Sequence, residues 1–132
     1  MKNNDGVLVG VDGGGSSTTV AVVDKDGRLL GIESGGPSRL ETVGADKAKD
    51  QISDCLKAAL NEASLRAEDI EVMSFGFGGL DSAPKRKQAE KIAEEIAPGV
   101  KTIIENDAAV GLFSGTFGKP GISLIAGTGT LL

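Results

Sequence analysis

The sequence predicts an α/β domain: a mixed five-stranded sheet with helices on both faces. Three observations carry that prediction. Short runs rich in valine, isoleucine and threonine open the chain as an antiparallel meander divided by turn residues. Two later runs of the same kind alternate with long helical patterns. Right-handed crossovers then make strands one, three, four and five parallel.

Strand one is the apolar run Val7 to Val11, which ends in Asp12 and the glycines Gly13, Gly14 and Gly15. Ser16 and Ser17 lead into strand two, Thr18 to Val23. The acidic segment Asp24 to Gly27 ends in Asp-Gly, the chemistry of a hairpin connection, so strand three follows from Arg28 to Ser34. Ser34 to Arg39 is a loop by composition. A helix is expected from near Thr42 to Ser64, with Ala48, Ile52, Leu56, Ala59, Leu60 and Ala63 on one apolar stripe. Strand four, Ile70 to Phe77, runs into Gly78, Gly79, Leu80 and Asp81. A second helix from Ala83 to Ala97 turns Ala89, Ile92, Ala93 and Ile96 inward and is stopped by Pro98 and Gly99. Strand five is Val100 to Ile104, ahead of Glu105, Asn106 and Asp107. A third, weaker helix is expected from Ala108 to Ser114, since Gly111 and Gly115 disfavour it. A last strand, Ile122 to Ala126, precedes Gly127, Thr128, Gly129 and Thr130.

Composition narrows the function. The 132 residues have room for one domain with a real core, and 39% apolar with 25% charged residues is the balance of a soluble globular protein. A net charge of −5 without a basic stripe argues against nucleic acid and anionic membranes as partners. Lys85, Arg86 and Lys87 sit among Glu90, Lys91, Glu94 and Glu95 at helical spacing, the pattern of a solvated helix face. The single cysteine, Cys55, rules out an internal disulfide and falls among Ile52, Leu56 and Ala59 as a core thiol. With no histidine, serine–histidine catalysis and histidine metal sites are excluded. Neither a signal core nor a run of the ~18 apolar residues that span a bilayer is present, so a cytoplasmic protein is the default expectation.

Glycine, at 20 residues, is the outlier, and its clusters fall at element junctions. Three successive glycines leave no side chain between backbone N–H groups and a ligand, which makes Gly13 to Thr19 a candidate anion cradle. A plain hairpin turn capped by Asp12 is the alternative, and neither the P-loop nor the dinucleotide-binding spacing is present. The loops at Asp12–Thr19, Ser34–Arg39, Gly78–Ser82 and Glu105–Asp107 all leave carboxyl ends of parallel strands, the edge where such sheets bind ligands. Asn106 and Asp107 suit a helix N-cap equally well as chemistry. A carboxylate opposite a phosphate cradle is what phosphorylation of a hydroxyl requires, because the attacking hydroxyl must give up its proton.

The motif VGVDGGGSSTTVAVVD (Val9 to Asp24) resembles the first phosphate motif of the acetate and sugar kinase, Hsc70 and actin superfamily. It is most similar to the branch holding N-acetylglucosamine kinases and the BadF/BadG/BcrA/BcrD-type ATPases. GGPSRLETVG (Gly35 to Gly44), FGFGGLDS (Phe75 to Ser82), ENDAAVGL (Glu105 to Leu112) and SLIAGTGT (Ser123 to Thr130) match that branch in order. The resemblance implies a ribonuclease H-like, actin-like ATPase domain over residues 1–118, with 119–132 opening a second, truncated actin-like domain. By it, the chain is an N-terminal piece whose tail from Thr128 to Leu132 lacks a sheet to join.

Carried over by residue, the resemblance implies that Asp12 orders Mg2+ and that Gly13, Gly14, Gly15, Ser16, Ser17 and Thr18 hold the terminal phosphates of ATP. Gly127, Thr128 and Gly129 resemble the second phosphate loop. Ser38 would line the acceptor pocket, Asn106 and Asp107 would bind sugar hydroxyls, and Asp107 would be the base. The implied activity is an ATP-dependent kinase for N-acetylglucosamine or a related amino sugar, with the homodimer left open. Two departures stand out: Ser16 and Ser17 replace a frequent Thr-Lys, and Arg39 stands where sugar-kinase members often carry asparagine, which suits a more acidic acceptor. Two other functions are compatible with the residues. One is an ATPase driving a partner protein, although its iron–sulfur branch needs more cysteine than Cys55. The other is a partner-binding half-domain with an unfinished edge strand.

Overall fold

A computed structural model of the chain describes residues 5–106 and two short strands at 125–126 and 130–131. The main sheet contains β1 (Val7–Gly13), β2 (Thr18–Val23), β3 (Leu29–Gly35), β4 (Ile70–Phe77) and β5 (Lys101–Asn106), in the spatial order β3-β2-β1-β4-β5. β2 is antiparallel to β1 and β3, while β4 is parallel to β1 and to β5. Four strands therefore share one direction, as expected. The helices are α1 (Leu40–Val43), α2 (Ala45–Glu62) and α3 (Ala83–Ile96).

Alternation decides which face is covered. Val9, Val11, Val20, Val22, Met73, Phe75, Phe77 and Ile104 are buried on one side of the pleat, where Phe75 and Phe77 stack with ring centroids 5.8 Å apart. Ile52, Leu56, Ala59 and Leu60 of α2 and Ala89, Ile92 and Ala93 of α3 complete that core. Both long described helices thus lie on a single face, and α2 contacts α3. On the opposite face Leu29, Ile32 and Ile103 are exposed among the described residues. The third helix expected from Ala108 to Ser114, on which a covering for that face depends, lies outside the described residues.

The first helix departs from expectation. In place of one helix from Thr42 to Ser64 there are two, because Gly44 adopts φ +82° and ends α1 with its amide on the Leu40 carbonyl at 2.9 Å. The glycine was the available signal for that break. β5 is also longer than expected and ends at Asn106. The acidic hairpin turn forms as read: Asp24 Oδ1 accepts from the amides of Asp26 and Arg28 at 2.9 and 2.8 Å, and Gly27 supplies φ +85°. At the far end Ile125–Ala126 pairs antiparallel with Thr130–Leu131, so Thr130 and Leu131 do have a strand partner, contrary to the unpaired tail expected.

Side chains occupy the sheet's two edges. The Ile32 amide of edge strand β3 donates to Glu62 Oε2 at 3.1 Å, and Arg86 Nη2 donates to the Ile104 carbonyl of edge strand β5 at 2.8 Å. Arg86 is therefore more than a member of a solvated helix face. Close seating of α2 on β3 depends on Gly31, where a Cβ would stand 2.2 Å from the Ala59 carbonyl oxygen. A Gly31→Ala substitution should cost about 1–3 kcal/mol in urea unfolding of the complete protein, by overpacking. Gly10→Ala, where a Cβ meets nothing within 4 Å, should stay within roughly 0.5 kcal/mol of wild type.

Candidate active site

The carboxyl ends of β1, β3 and β4 bring three loops to one rim, at which β5 also ends. β1 ends at Gly13, and the turn to β2 is closed by the Gly14 amide donating to the Ser17 carbonyl at 2.9 Å. The Gly14 carbonyl points out of the turn and accepts the amides of Ser38 at 3.1 Å and Arg39 at 3.2 Å. Next door, the Gly13 carbonyl accepts the Gly78 amide at 3.2 Å. The glycine turn, the β3–α1 loop and the β4–α3 loop are thereby joined through two adjacent carbonyls. Gly15, Ser16 and Ser17 stay exposed, and their amides donate to no backbone carbonyl among the described residues. Exposed N–H groups on a glycine turn are the donor set that a phosphate takes.

A hydroxyl network underlies the turn. Thr18 and Ser38 are fully buried, and their hydroxyl oxygens are 2.6 Å apart. Thr18 Oγ1 also lies 2.6 Å from the Gly36 carbonyl, which can only accept. Thr18 has one proton, so it donates that proton to Gly36 and receives the proton of Ser38. From beneath, the Gly36 amide donates to Gln51 Oε1 of α2 at 2.9 Å. Fit is tight on both sides: a Cβ at Gly13 would stand 2.8 Å from Ser38 Oγ, and one at Gly35 would stand 2.8 Å from Cys55 Sγ and from Gln51 Oε1. Buried Cys55 is a core thiol as expected, and desolvation pushes its pKa up, followed by the charges of Glu33 and Asp54.

This burial refines the expected roles of Thr18 and Ser38. Their hydroxyls turn inward to hold loops together, so neither side chain faces the rim. Strand register adds a further division. Gly35, Thr18, Gly13, Phe77 and Asn106 form one row across the sheet, and Ser34, Thr19, Asp12, Gly76 and Glu105 form the next on the opposite face. Asp12 is exposed in the outer row, whereas Asn106 is half-buried in the inner one. Asp107, Gly127, Thr128 and Gly129 lie outside the described residues.

An ionic cluster borders the β4–α3 loop. Ser82 caps α3 by accepting the Lys85 amide at 3.4 Å. Lys85 Nζ bonds Glu41 Oε1 and sits 2.9 Å from Asp81 Oδ1, while Glu41 Oε2 stands 3.6 Å from Arg39 Nη2. The hydrogen bond from Lys85 holds the Asp81 carboxyl below its ordinary range, and bonds first to Glu41 and then to Asp81 raise Lys85. Gln51, Glu41 and Lys85 were not singled out as site residues from sequence. Only for Gln51 was there a signal, a polar residue one turn before Cys55 on the buried side of α2.

A sequence model described as the BadF/BadG/BcrA/BcrD ATPase family matches residues 9–132. The chain belongs to that family. This BadF/BadG/BcrA/BcrD member is 26% identical over 124 residues to the N-acetylmuramic acid/N-acetylglucosamine kinase of Clostridium acetobutylicum, a match over 94% of this chain and 40% of that protein. Against the N-acetyl-D-glucosamine kinase of Dictyostelium discoideum it is 29% identical over 134 residues, covering 95% of itself and 42% of that protein. The chain thus spans about two fifths of the length of these curated relatives. Among solved structures, a candidate N-acetylglucosamine kinase from Chromobacterium violaceum superposes with a TM-score of 0.78 at 29% identity, over 97% of this chain and 44% of that one. A ROK family glucokinase from Streptomyces griseus, solved with glucose and AMPPNP, shares the fold at a TM-score of 0.62 and 23% identity, over 82% and 35% of the two chains. The actin-like ATPase fold read from the motifs is therefore the fold of this family member.

The network tests directly. Thr18→Val strands the Gly36 carbonyl and the Ser38 hydroxyl, at a cost of about 1–3 kcal/mol. Thr18→Ser keeps the proton and should recover most of that loss in the same urea titration of the complete protein.

Proposed function

We propose that the complete protein is an ATP-dependent carbohydrate kinase, a phosphotransferase acting on N-acetylglucosamine or a related amino sugar. In this reading residues 1–118 are its N-terminal actin-like domain, and 119–132 begin the second. One observation carries the proposal: the exposed amides of Gly15, Ser16 and Ser17 are tied to the loop bearing Ser38 and Arg39 through the Gly14 carbonyl. A donor phosphate and an acceptor held by those two loops would be fixed relative to one another, and alignment supplies much of the catalysis of phosphoryl transfer. The names of the two curated relatives supply the acceptor class.

The residues present fit Mg-ATP, which supplies the phosphoryl group when bound. Asp12 is an exposed carboxylate at the rim, and Mg2+ is usually held by one or two carboxylates together with phosphates and water. Gly13, Gly14, Gly15, Ser16 and Ser17 would receive the phosphates, with Thr18 contributing backbone alone because its hydroxyl is spent. Gly127, Thr128 and Gly129 would supply the second loop. On the acceptor side Asn106 hydrogen-bonds sugar hydroxyls, and Asp107 takes the proton of the attacking one.

Two measurements on the complete protein check this reading. ADP release should require an amino sugar; release at the same rate without one would make the protein an ATPase driving a partner. Asp107→Ala should lower kcat by about 10²–10⁴-fold, the usual span for a lost general base, with a far smaller change in apparent ATP affinity. Equal losses in both would remove Asp107 from the role of base.

A further inference from the structure

We infer, resting on the kinase reading above, that Arg86 is a positioning residue for the transfer step. From the first turn of α3 it fixes the end of β5, the strand that leads through Asn106 into Asp107.

The other strand ends at the rim have support on both sides. β1 lies between β2 and β4, and β4 lies between β1 and β5. β3 is an edge strand, but the loop that leaves it is tied to the Gly14 carbonyl and, at Gly36, to Thr18 and Gln51. Among the described residues β5 pairs with β4 alone, in register as far as Asn106 opposite Phe77. Its outer side is where Arg86 acts. The guanidinium Nη2 donates to the Ile104 carbonyl at 2.8 Å in a partly buried bond, two residues before Asn106 and three before Asp107. A carbonyl on the open edge of a sheet is ordinarily left to water or to a further strand; here a side chain takes it.

Arg86 is itself fixed from the side of the phosphate turn. The Gly78 amide donates to the Gly13 carbonyl at 3.2 Å, and further along the same loop Ser82 caps α3 by accepting the Lys85 amide at 3.4 Å. The Arg86 amide then donates to the Ser82 carbonyl at 3.1 Å, which places its side chain on the opening turn of the helix. Tethers thus run from the glycine turn through the β4–α3 loop and Arg86 to the end of β5. Lys85 leaves the same turn towards Glu41 of α1, so consecutive residues of α3 reach α1 on one side and β5 on the other. Ion pairing does not account for the placement of Arg86: Glu90 and Glu105 stand 4.0 and 3.9 Å away, all three side chains are about half exposed, and such pairs add little. The short bond to Ile104 does, because a guanidinium donor makes it charge-assisted and directional. What it fixes bears on the reaction. The base must meet the attacking hydroxyl while the phosphate lies on the glycine turn, and a misplacement of about 1 Å caused far from the chemistry can cost on the order of 10²-fold.

The test uses the complete protein with ATP and N-acetylglucosamine. Arg86→Met keeps the stem and loses the donors; it should lower kcat by about 10–100-fold and leave KM for ATP within about twofold of wild type, which also reports that the variant folds. Arg86→Lys, which keeps a cationic donor, should recover part of the loss. Lys87, exposed at the next position of α3, supplies the control, and Lys87→Met should turn over as wild type does. A double-mutant cycle with Asp107→Ala separates positioning from general support of the fold. A residue that acts by placing the base loses its effect once the base is gone, so Arg86→Met should lower kcat of Asp107→Ala by less than about threefold. An unchanged kcat in Arg86→Met, a loss that falls on KM for ATP, or a loss that multiplies in full with that of Asp107→Ala overturns the role of Arg86 while leaving the kinase intact. Absence of turnover with every amino sugar overturns the kinase reading and this one with it.

Discussion

The Gly14 carbonyl is the point on which the site's geometry depends. In an ordinary hairpin that oxygen would serve the returning strand; here it accepts two amides from another loop. The consequence is twofold. Loop β3–α1 is fixed against the turn, and the amides at the tip of the turn have no acceptor among the backbone carbonyls of the described residues. Buried beneath, the Thr18 hydroxyl and Gln51 hold the same loop from the other side. Gly36 is thereby gripped at both its carbonyl and its amide. Such a loop has little freedom to move apart from the helix and strand that hold it.

Much of this was legible in the residues themselves. Strands β2 and β4 begin and end as the valine, threonine and aromatic runs predict, and the Asp24–Gly27 turn follows from its chemistry. The shared rim followed from topology alone, because parallel strands place their exits together. What was illegible is mostly a matter of side chains acting at long range. Nothing local distinguishes Thr18, which turns inward, from Thr19, which faces out; only the register of the pleat does. The resemblance puts Ser38 in the acceptor pocket, yet Gly13 leaves room for its side chain to sink beneath the sheet's edge.

Glycine composition has a double explanation in this fold. Some glycines are turns, as at Gly27, Gly44, Gly79 and Gly99, where φ is positive. Others are absences of side chain where elements meet: Gly31 and Gly35 admit α2, and Gly13 admits Ser38. A sequence reading sees one class of residue. Packing separates them: of the second class, Gly13 and Gly35 lie at the rim, while Gly31 lies four residues back along β3 against α2.

The alternation of the last two rows of the sheet has its own consequence. Asp12 belongs to one face and the Thr18–Ser38–Gln51 network to the other, with the backbone of β1 between them. In the proposed kinase, a carboxylate for a cation and a scaffold for an acceptor loop would therefore come from opposite faces of the same strand. The pleat acts as an insulating wall. A substitution in the network beneath the β3–α1 loop is thus screened from Asp12 by the strand itself, and in the proposed kinase the support of the acceptor loop could change without disturbing the side that holds the cation.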